Sequence, residues 1–301
     1  LEDILSYCKF PENKRTATLL LTYLIDPKVN LEPSMFDAGT SINIMTKGDD
    51  YYLRNAWEDL FKPNLDYFAE KIESVITNAF LLADTQQRAF SNEKYFDGLN
   101  FSRESIWNNN AHSNKFDIII NVARDIMKYY IDNSPAKTEK IIKRWNNLGP
   151  LLLKRIAIYG VTESDYLNSN EKLEWVMKNN YLNSYGIDRE INELINRCYP
   201  EASSDIKEKV IEGMKYVPEN YRPGKLKEEN KKEIILNGLY KLYELDHDFK
   251  IAKKAYEKYR NDNPELTLYS KPNQNKKIKY EFCTDTLLEL NSNEIVKLYL
   301  S

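Results

Sequence analysis

Hydrophobic residues recur along this chain at steps of three and four positions, the stripe of amphipathic α-helices. Leu65, Phe68, Ala69, Ile72, Val75, Ile76 and Ala79 set one over residues 65–82, with Pro63 near its first turn. Phe116, Ile119, Ile120, Ala123, Met127, Tyr130 and Ile131 set a second. It should stop before Pro135, because a proline steers its predecessor away from helical geometry. A third helix is expected over 136–148. Gly149 and Pro150 then supply a stop and a first-turn residue for a fourth, carrying Leu151, Leu152, Ile156 and Tyr159. Three more follow beyond Gly160, marked by Leu173, Val176, Met177 and Tyr181, by Ile187, Ile191, Leu194, Ile195 and Cys198, and by Ile206, Val210, Ile211 and Met214. A helical hairpin closes the pattern, with Ile235, Leu239 and Leu242 on one arm, Phe249, Ala252, Tyr256 and Tyr259 on the other, and a corner near 244–248.

Two stretches break the stripe. Residues 26–50 hold Pro27, Pro33, Gly39 and Gly48 and read as a long ordered loop, and residues 261–279 are polar, with Pro264 and Pro272. Pro218 and Pro223 make 217–224 a linker, so 1–222 reads as a main helical-repeat-like domain and 225–301 as a C-terminal helical subdomain. Only nine glycines and eleven prolines occur in 301 residues, which favours long helices over many short strands. The predicted class is all-α: an irregular antiparallel array, α-solenoid-like but with no signature at a fixed period.

Composition narrows the chemistry. No apolar run exceeds five residues, from Ala79 to Ala83, against the roughly 20 needed to cross a bilayer, so no membrane span is expected. Cys8, Cys198 and Cys283 are odd in number and far apart, which suggests reduced thiols in the cytoplasm, with Cys198 a buried residue of its helical stripe. A net charge of −3 predicts no wholesale attraction to nucleic acid. The glycines form no phosphate-binding loop, and His112 and His247 have no companions at metal-ligand spacing, so neither cofactor nor metal is expected. The triplet Asp246-His247-Asp248 is explained as an acidic cap on the following helix. A chain that begins at Leu1 and ends on an amphipathic stretch is expected to be a segment of a longer protein.

Some features point to binding. Residues 225–279 carry fourteen basic against nine acidic side chains, and with Tyr240, Tyr243, Tyr256 and Tyr259 they offer an alternative reading as a nucleic-acid-binding module. Tyr256 and Tyr259 fall on the apolar stripe, however, which favours core plus solvated surface. Tyrosine, at 22 residues against 11 phenylalanines, suits surfaces that a partner covers. The four tryptophans, Trp57, Trp107, Trp145 and Trp175, are expected between helices. An autonomous nuclease using Asp117, Asp125 and Glu139 with Lys140 is a further alternative, although such sites normally sit on a sheet. Arg103, Arg124 and Arg155 lie in or beside apolar helical stretches, where a guanidinium must find an anion; Asp125 or Glu104 could serve, making these residues structural charge clamps.

Three local words, Phe101-Ser102-Arg103-Glu104-Ser105-Ile106, Ile119-Ile120-Asn121-Val122-Ala123-Arg124-Asp125 and Pro150-Leu151-Leu152-Leu153-Lys154-Arg155-Ile156-Ala157-Ile158-Tyr159, occur in order. Their order and separation resemble the helical region that follows the sirtuin-like domain in bacterial anti-phage defence proteins, the defence-associated sirtuins and related sensor ATPases, over residues 50–215. The resemblance implies a non-catalytic sensor or regulatory segment. Such a segment binds a protein, such as a phage structural protein, and controls an NAD-cleaving effector domain of the same parent chain, through which it could also form a homo-oligomer. Trp107, His112, Tyr51 and Tyr52 are the candidate partner contacts, because the polar run 108–114 interrupts the helices and such interruptions align along one edge of a helical array.

Overall fold

The computed structural model describes residues 12–33, 40–48, 53, 65–90, 105–107, 117–218 and 226–268. Among them are ten helices and one two-stranded hairpin, and the class is all-α. The helices are α1 (Lys14–Ile25), α2 (Leu65–Phe90), α3 (Asp117–Asn133), α4 (Pro135–Asn147), α5 (Leu151–Glu163), α6 (Ser169–Lys178), α7 (Asp188–Cys198), α8 (Ser204–Met214), α9 (Glu228–Leu245) and α10 (Lys250–Asp262). The strands are β1 (Pro27–Pro33) and β2 (Thr40–Thr46). None of the helices is long and apolar enough to cross a membrane.

The expected loop over 26–50 is corrected: its centre is an antiparallel hairpin. The register pairs Val29 with Ile44, Asn30 with Asn43 and Leu31 with Ile42, which sets apolar positions opposite apolar and polar opposite polar along this part of the ladder. Pro27 and Pro33 occupy the two ends of β1, where a missing backbone donor disturbs the ladder least. Helix α1 was not foreseen either. Its stripe is short, Ala17, Leu21, Leu24 and Ile25, but all four are buried. Helix α2 runs two turns past the expected end, through Ala83-Asp84-Thr85-Gln86-Gln87-Arg88, which has no apolar stripe but several good helix formers.

The other helices fall where the stripe places them. Ser134-Pro135 makes the α3–α4 corner, with Pro135 in the first turn of α4. Gly149-Pro150 makes the α4–α5 corner. Asn180 closes α6 in the left-handed region at φ 56°, its N–H donating to Met177 O and that of Tyr181 to Val176 O. Packing then proceeds stepwise: the hairpin on α2, α2 on α3, α3 on α4 and α5, α5 on α7, α6 on α7 and α8, and α8 on α9 and α10. One apolar cluster runs from Ala17 in α1 to Ala252 in α10. The boundary expected near 222 falls on residues 219–225, outside the described residues, as do residues 269–279 of the polar C-terminal stretch.

Candidate functional site

Helix α5 lies at the centre of the array and is buried from Leu152 to Thr162, apart from a half-buried Lys154. Its stripe therefore wraps all round, and Arg155 is carried inside with the apolar residues. The guanidinium is met there by Glu190 of α7: Nε donates to Oε2 at 2.8 Å and Nη2 to Oε1 at 2.9 Å, with 3% and 0% of the two side chains exposed. A two-pronged, charge-assisted pair is the geometry a buried guanidinium requires. Of the carboxylates considered for these arginines, Asp125 pairs with Arg124, and Glu104 lies outside the described residues. Glu190 was legible only as a carboxylate at helical spacing, three residues after Ile187 and four before Leu194.

Asp125 instead holds its own neighbour. Arg124 Nε and Nη2 donate to Asp125 Oδ1 at 3.0 and 2.9 Å, a pair within α3. Among the described residues, Arg124 also reaches Ile106 O beyond its helix, 3.5 Å from Nη1. The Ile106 N–H donates to Glu190 Oε1 at 3.2 Å, and the Ile106 side chain is fully buried. Residues 105–107 are thus held at a single residue, Ile106, by α3 through its carbonyl and by α7 through its N–H.

The next residue, Trp107, is half-buried at the rim. Its indole Nε1–H donates to Glu163 Oε1 at the C-terminal end of α5, and its ring sits 5.1 Å from that of Tyr159. Arg197 of α7 lies over the indole, 5.4 Å from the centroid, while its Nη1 donates to Glu163 at 2.7 Å and its Nε to Glu193 at 2.8 Å. Burial, with Glu163 beside it, pushes the Tyr159 phenol up to about 12. Of the expected partner contacts, Trp107 falls among the described residues, whereas Tyr51, Tyr52 and His112 lie outside them, as does Arg103. Glu163, Glu190 and Arg197 were not anticipated. Arg197 follows Glu193 by four positions, which reads as an ordinary surface pair on a helix.

The other candidates take mostly structural positions. Trp145 is fully buried and donates to Glu73 at 3.0 Å, Trp175 packs edge-on against Tyr181, and Cys198 is a buried free thiol. The acidic cap expected at Asp246-His247-Asp248 is corrected: Asp246 terminates α9 and binds Lys207 at 2.6 Å, while Phe249 takes the cap position of α10. Tyr240, Tyr243 and Tyr256 form a ladder in which Tyr256 lies 5.2 Å from Tyr240 and stacks on Tyr243 at 5.8 Å, so these rings contact one another. Tyr256 and Tyr259 pack against the apolar cluster. Between residues 226 and 268 nine basic residues face nine acidic ones; the surplus of the basic window comes from Lys225, Lys271, Lys276, Lys277 and Lys279, outside the described residues. Among the described residues no three His, Cys, Asp or Glu side chains converge as a metal site would need. Asp125 is engaged by Arg124, and Glu139 is exposed on α4.

No family matches the chain, and no curated protein and no solved structure matches it either.

Proposed function

We propose that this chain is the sensing and regulatory helical segment of an anti-phage defence protein of the defence-associated sirtuin type. In this reading it binds a protein partner and passes that binding to an NAD-cleaving effector domain elsewhere in the parent protein. The sequence resemblance supplies the class. The observation that carries the reading is the seating of Trp107: a half-buried indole braced by Tyr159, Glu163 and Arg197 at the rim of the central helices. Tryptophan and arginine in such a pre-positioned setting are the residue types on which binding energy between proteins concentrates. Glu190, Arg155 and Arg124 tie the same turn to three helices, so a partner engaging Trp107 pulls on the centre of the array.

The test is phage challenge of cells carrying the full-length parent with Trp107→Ala, alongside Trp175→Ala as a second half-buried tryptophan away from this turn. The reading expects protection to fall at least tenfold for the first variant and to persist for the second, both remaining folded. Unchanged protection with folded Trp107→Ala overturns the assignment of the surface. A parent gene encoding no NAD-cleaving domain overturns the functional class. The same reading expects the isolated chain not to hydrolyse NAD; turnover abolished by a point substitution within it would refute that.

A further inference from the structure

Helices α2 and α4 enclose between them a cavity of about 440 Å³ that Tyr130 of α3 also lines. Ligand sites typically occupy about 300–1,000 Å³, so the space suffices for a small binding site. Part of the lining is apolar, with Ala69 from α2 and Ile141 and Trp145 from α4. The charged part is uneven. Lys137, Lys140 and Arg144 follow one another on α4 at steps of three and four, which places all three on one face. The single carboxylate of α4, Glu139, is not part of this lining, and α2 contributes Glu70 and Glu73 from the opposite wall.

Glu73 fixes Arg144 at one end of this cavity. Its Oε1 accepts from Arg144 Nη2 at 2.7 Å, and its Oε2 accepts from the indole of the fully buried Trp145 at 3.0 Å. Held by the core in this way, Glu73 is 13% exposed, whereas 58% of the Arg144 side chain is exposed. Arg144 uses one N–H on Glu73 and keeps further donors of its fork for an incoming group. Lys140, about 6 Å earlier along the helix axis, is exposed and has no hydrogen-bond or ion-pair partner among the described residues. Lys137 is already placed over the Tyr130 ring, 5.3 Å from its centroid. Lys140 and Arg144 are therefore the cations offered to a ligand.

We propose that this cavity docks an acidic segment of another protein, which seats an apolar side chain between α2 and α4 and pairs its carboxylates with Lys140 and Arg144. A guanidinium already oriented by Glu73 loses little freedom on pairing, which favours a carboxylate met by its planar fork. The apolar lining rewards a side chain that leaves water, which a simple anion does not supply. Glu70, exposed and unpaired on the opposite wall, repels a continuous polyanion and so favours a short acidic peptide over a nucleic-acid strand. The site involves neither Trp107 nor an effector domain, so failure of the sensing reading would leave it standing.

Fluorescence polarisation decides it, with the full chain titrated into labelled synthetic peptides in which Asp or Glu flanks Leu, Ile, Phe or Trp. Companion peptides carry Asn and Gln in place of the acids, or Ser in place of the apolar residue. Members of the acidic set should bind saturably below about 1 mM, both companion sets about tenfold more weakly, and raised salt should weaken the acidic set. Lys140→Gln should weaken binding about threefold, the worth of an exposed ion pair, and Arg144→Gln about tenfold. Lys143→Gln, exposed on α4 but outside the cavity, should change nothing. Because Lys140 is exposed and unpaired, its substitution keeps the test decisive even where Arg144→Gln lowers the melting point. No binding by any acidic peptide overturns the proposal, as does equal binding by the companions. An equal loss on Lys143→Gln, or tighter binding of labelled single-stranded DNA than of any peptide, overturns it too, since general charge would then explain the attraction.

Discussion

Glu190 Oε1 accepts from two sources at once, Arg155 Nη2 at 2.9 Å and the Ile106 amide at 3.2 Å, while Oε2 takes Arg155 Nε. One fully buried carboxylate therefore joins α5, α7 and the turn at 105–107. Neither oxygen is available to solvent, so the group works as a joint between elements.

Glu190→Ala should be among the most damaging substitutions in the chain. It removes the two-pronged carboxylate from the Arg155 guanidinium in a site where only 3% of that side chain is exposed. The expected loss is about 3–5 kcal/mol, the range for breaking a buried pair from one side. Replacing both partners, as Arg155→Met with Glu190→Met, should recover most of it, because no charge remains to be solvated. Arg124→Ala, whose pair with Asp125 is partly solvated, should cost only about 1 kcal/mol. Urea unfolding of the four proteins measures all of this; an Arg124 effect as large as that of Glu190 would contradict the geometry.

The contrast between these arginines marks how far the sequence is legible. Apolar periodicity locates α3 to α10 because each helix buries one face, and a stripe is the direct trace of a face. The hairpin escapes because its strands are short and its prolines mimic a loop, although Val29, Leu31, Ile42 and Ile44 alternate with polar residues as a strand should. That Arg155 needs a buried anion follows from its place in an apolar helix; that the anion is Glu190 does not, since the pair spans 35 residues and depends on how α5 packs on α7. Trp107 is legible as a candidate, but its braces Glu163 and Arg197 look like ordinary surface charges until the fold brings them together.

Gly160→Ala should destabilise the fold even though alanine is the better helix former. A Cβ at this position would lie 2.7 Å from Met127 Sδ and 3.0 Å from Ile142 Cγ1, where α5 crosses α3 and α4. Methionine yields, but a branched isoleucine in a packed site yields little. Overpacking of this kind costs about 1–3 kcal/mol, against roughly 1 kcal/mol gained in helix propensity. A denaturant midpoint above that of the wild type would show that the crossing is looser than its geometry.

Lys241 should weaken the fold at neutral pH. Its Nζ, on α9, donates to Asn192 O at 3.1 Å and Oδ1 at 2.7 Å on α7. Burial pushes its pKa down to about 8 from 10.5, against the opposing pull of Glu193 and Asp188. Between those values the unfolded chain binds the proton and the folded chain does not, so this group's contribution to stability rises with pH from about 8 to 10.5. Lys241→Met should therefore be more stable than wild type at pH 7, by about 1–2 kcal/mol after the loss of the Asn192 contacts, and the difference should shrink toward pH 10. Thermal melts at both pH values test the sign; an advantage that grows with pH would refute it.

The last prediction concerns how the C-terminal helices are fastened. Lys207 of α8 is 8% exposed, and its ammonium donates to Pro200 O at 2.9 Å and to Asp246 Oδ2 at 2.6 Å. It also lies over the rings of Tyr199 and Phe249, at 5.7 and 5.6 Å from their centroids. Asp246 ends α9 and Phe249 caps α10, so one cation holds the corner of the α9–α10 hairpin against the preceding helices. Lys207→Met preserves the packing of the stem but removes the charge, leaving Asp246 with 18% of its side chain exposed and no cation beside it. The expected loss is about 2–4 kcal/mol, somewhat less than for a fully enclosed pair because Asp246 keeps some water. Pairing it with Asp246→Asn should restore at least half. The loss should also be local, with amides of α9 and α10 losing protection before those of α5 and α7, since the hairpin packs mainly on α8 and reaches α7 through Lys241 and Asn192. Uniform loss of protection across all helices would show instead that the array unfolds as one unit, with the Lys207 corner no weaker than its centre.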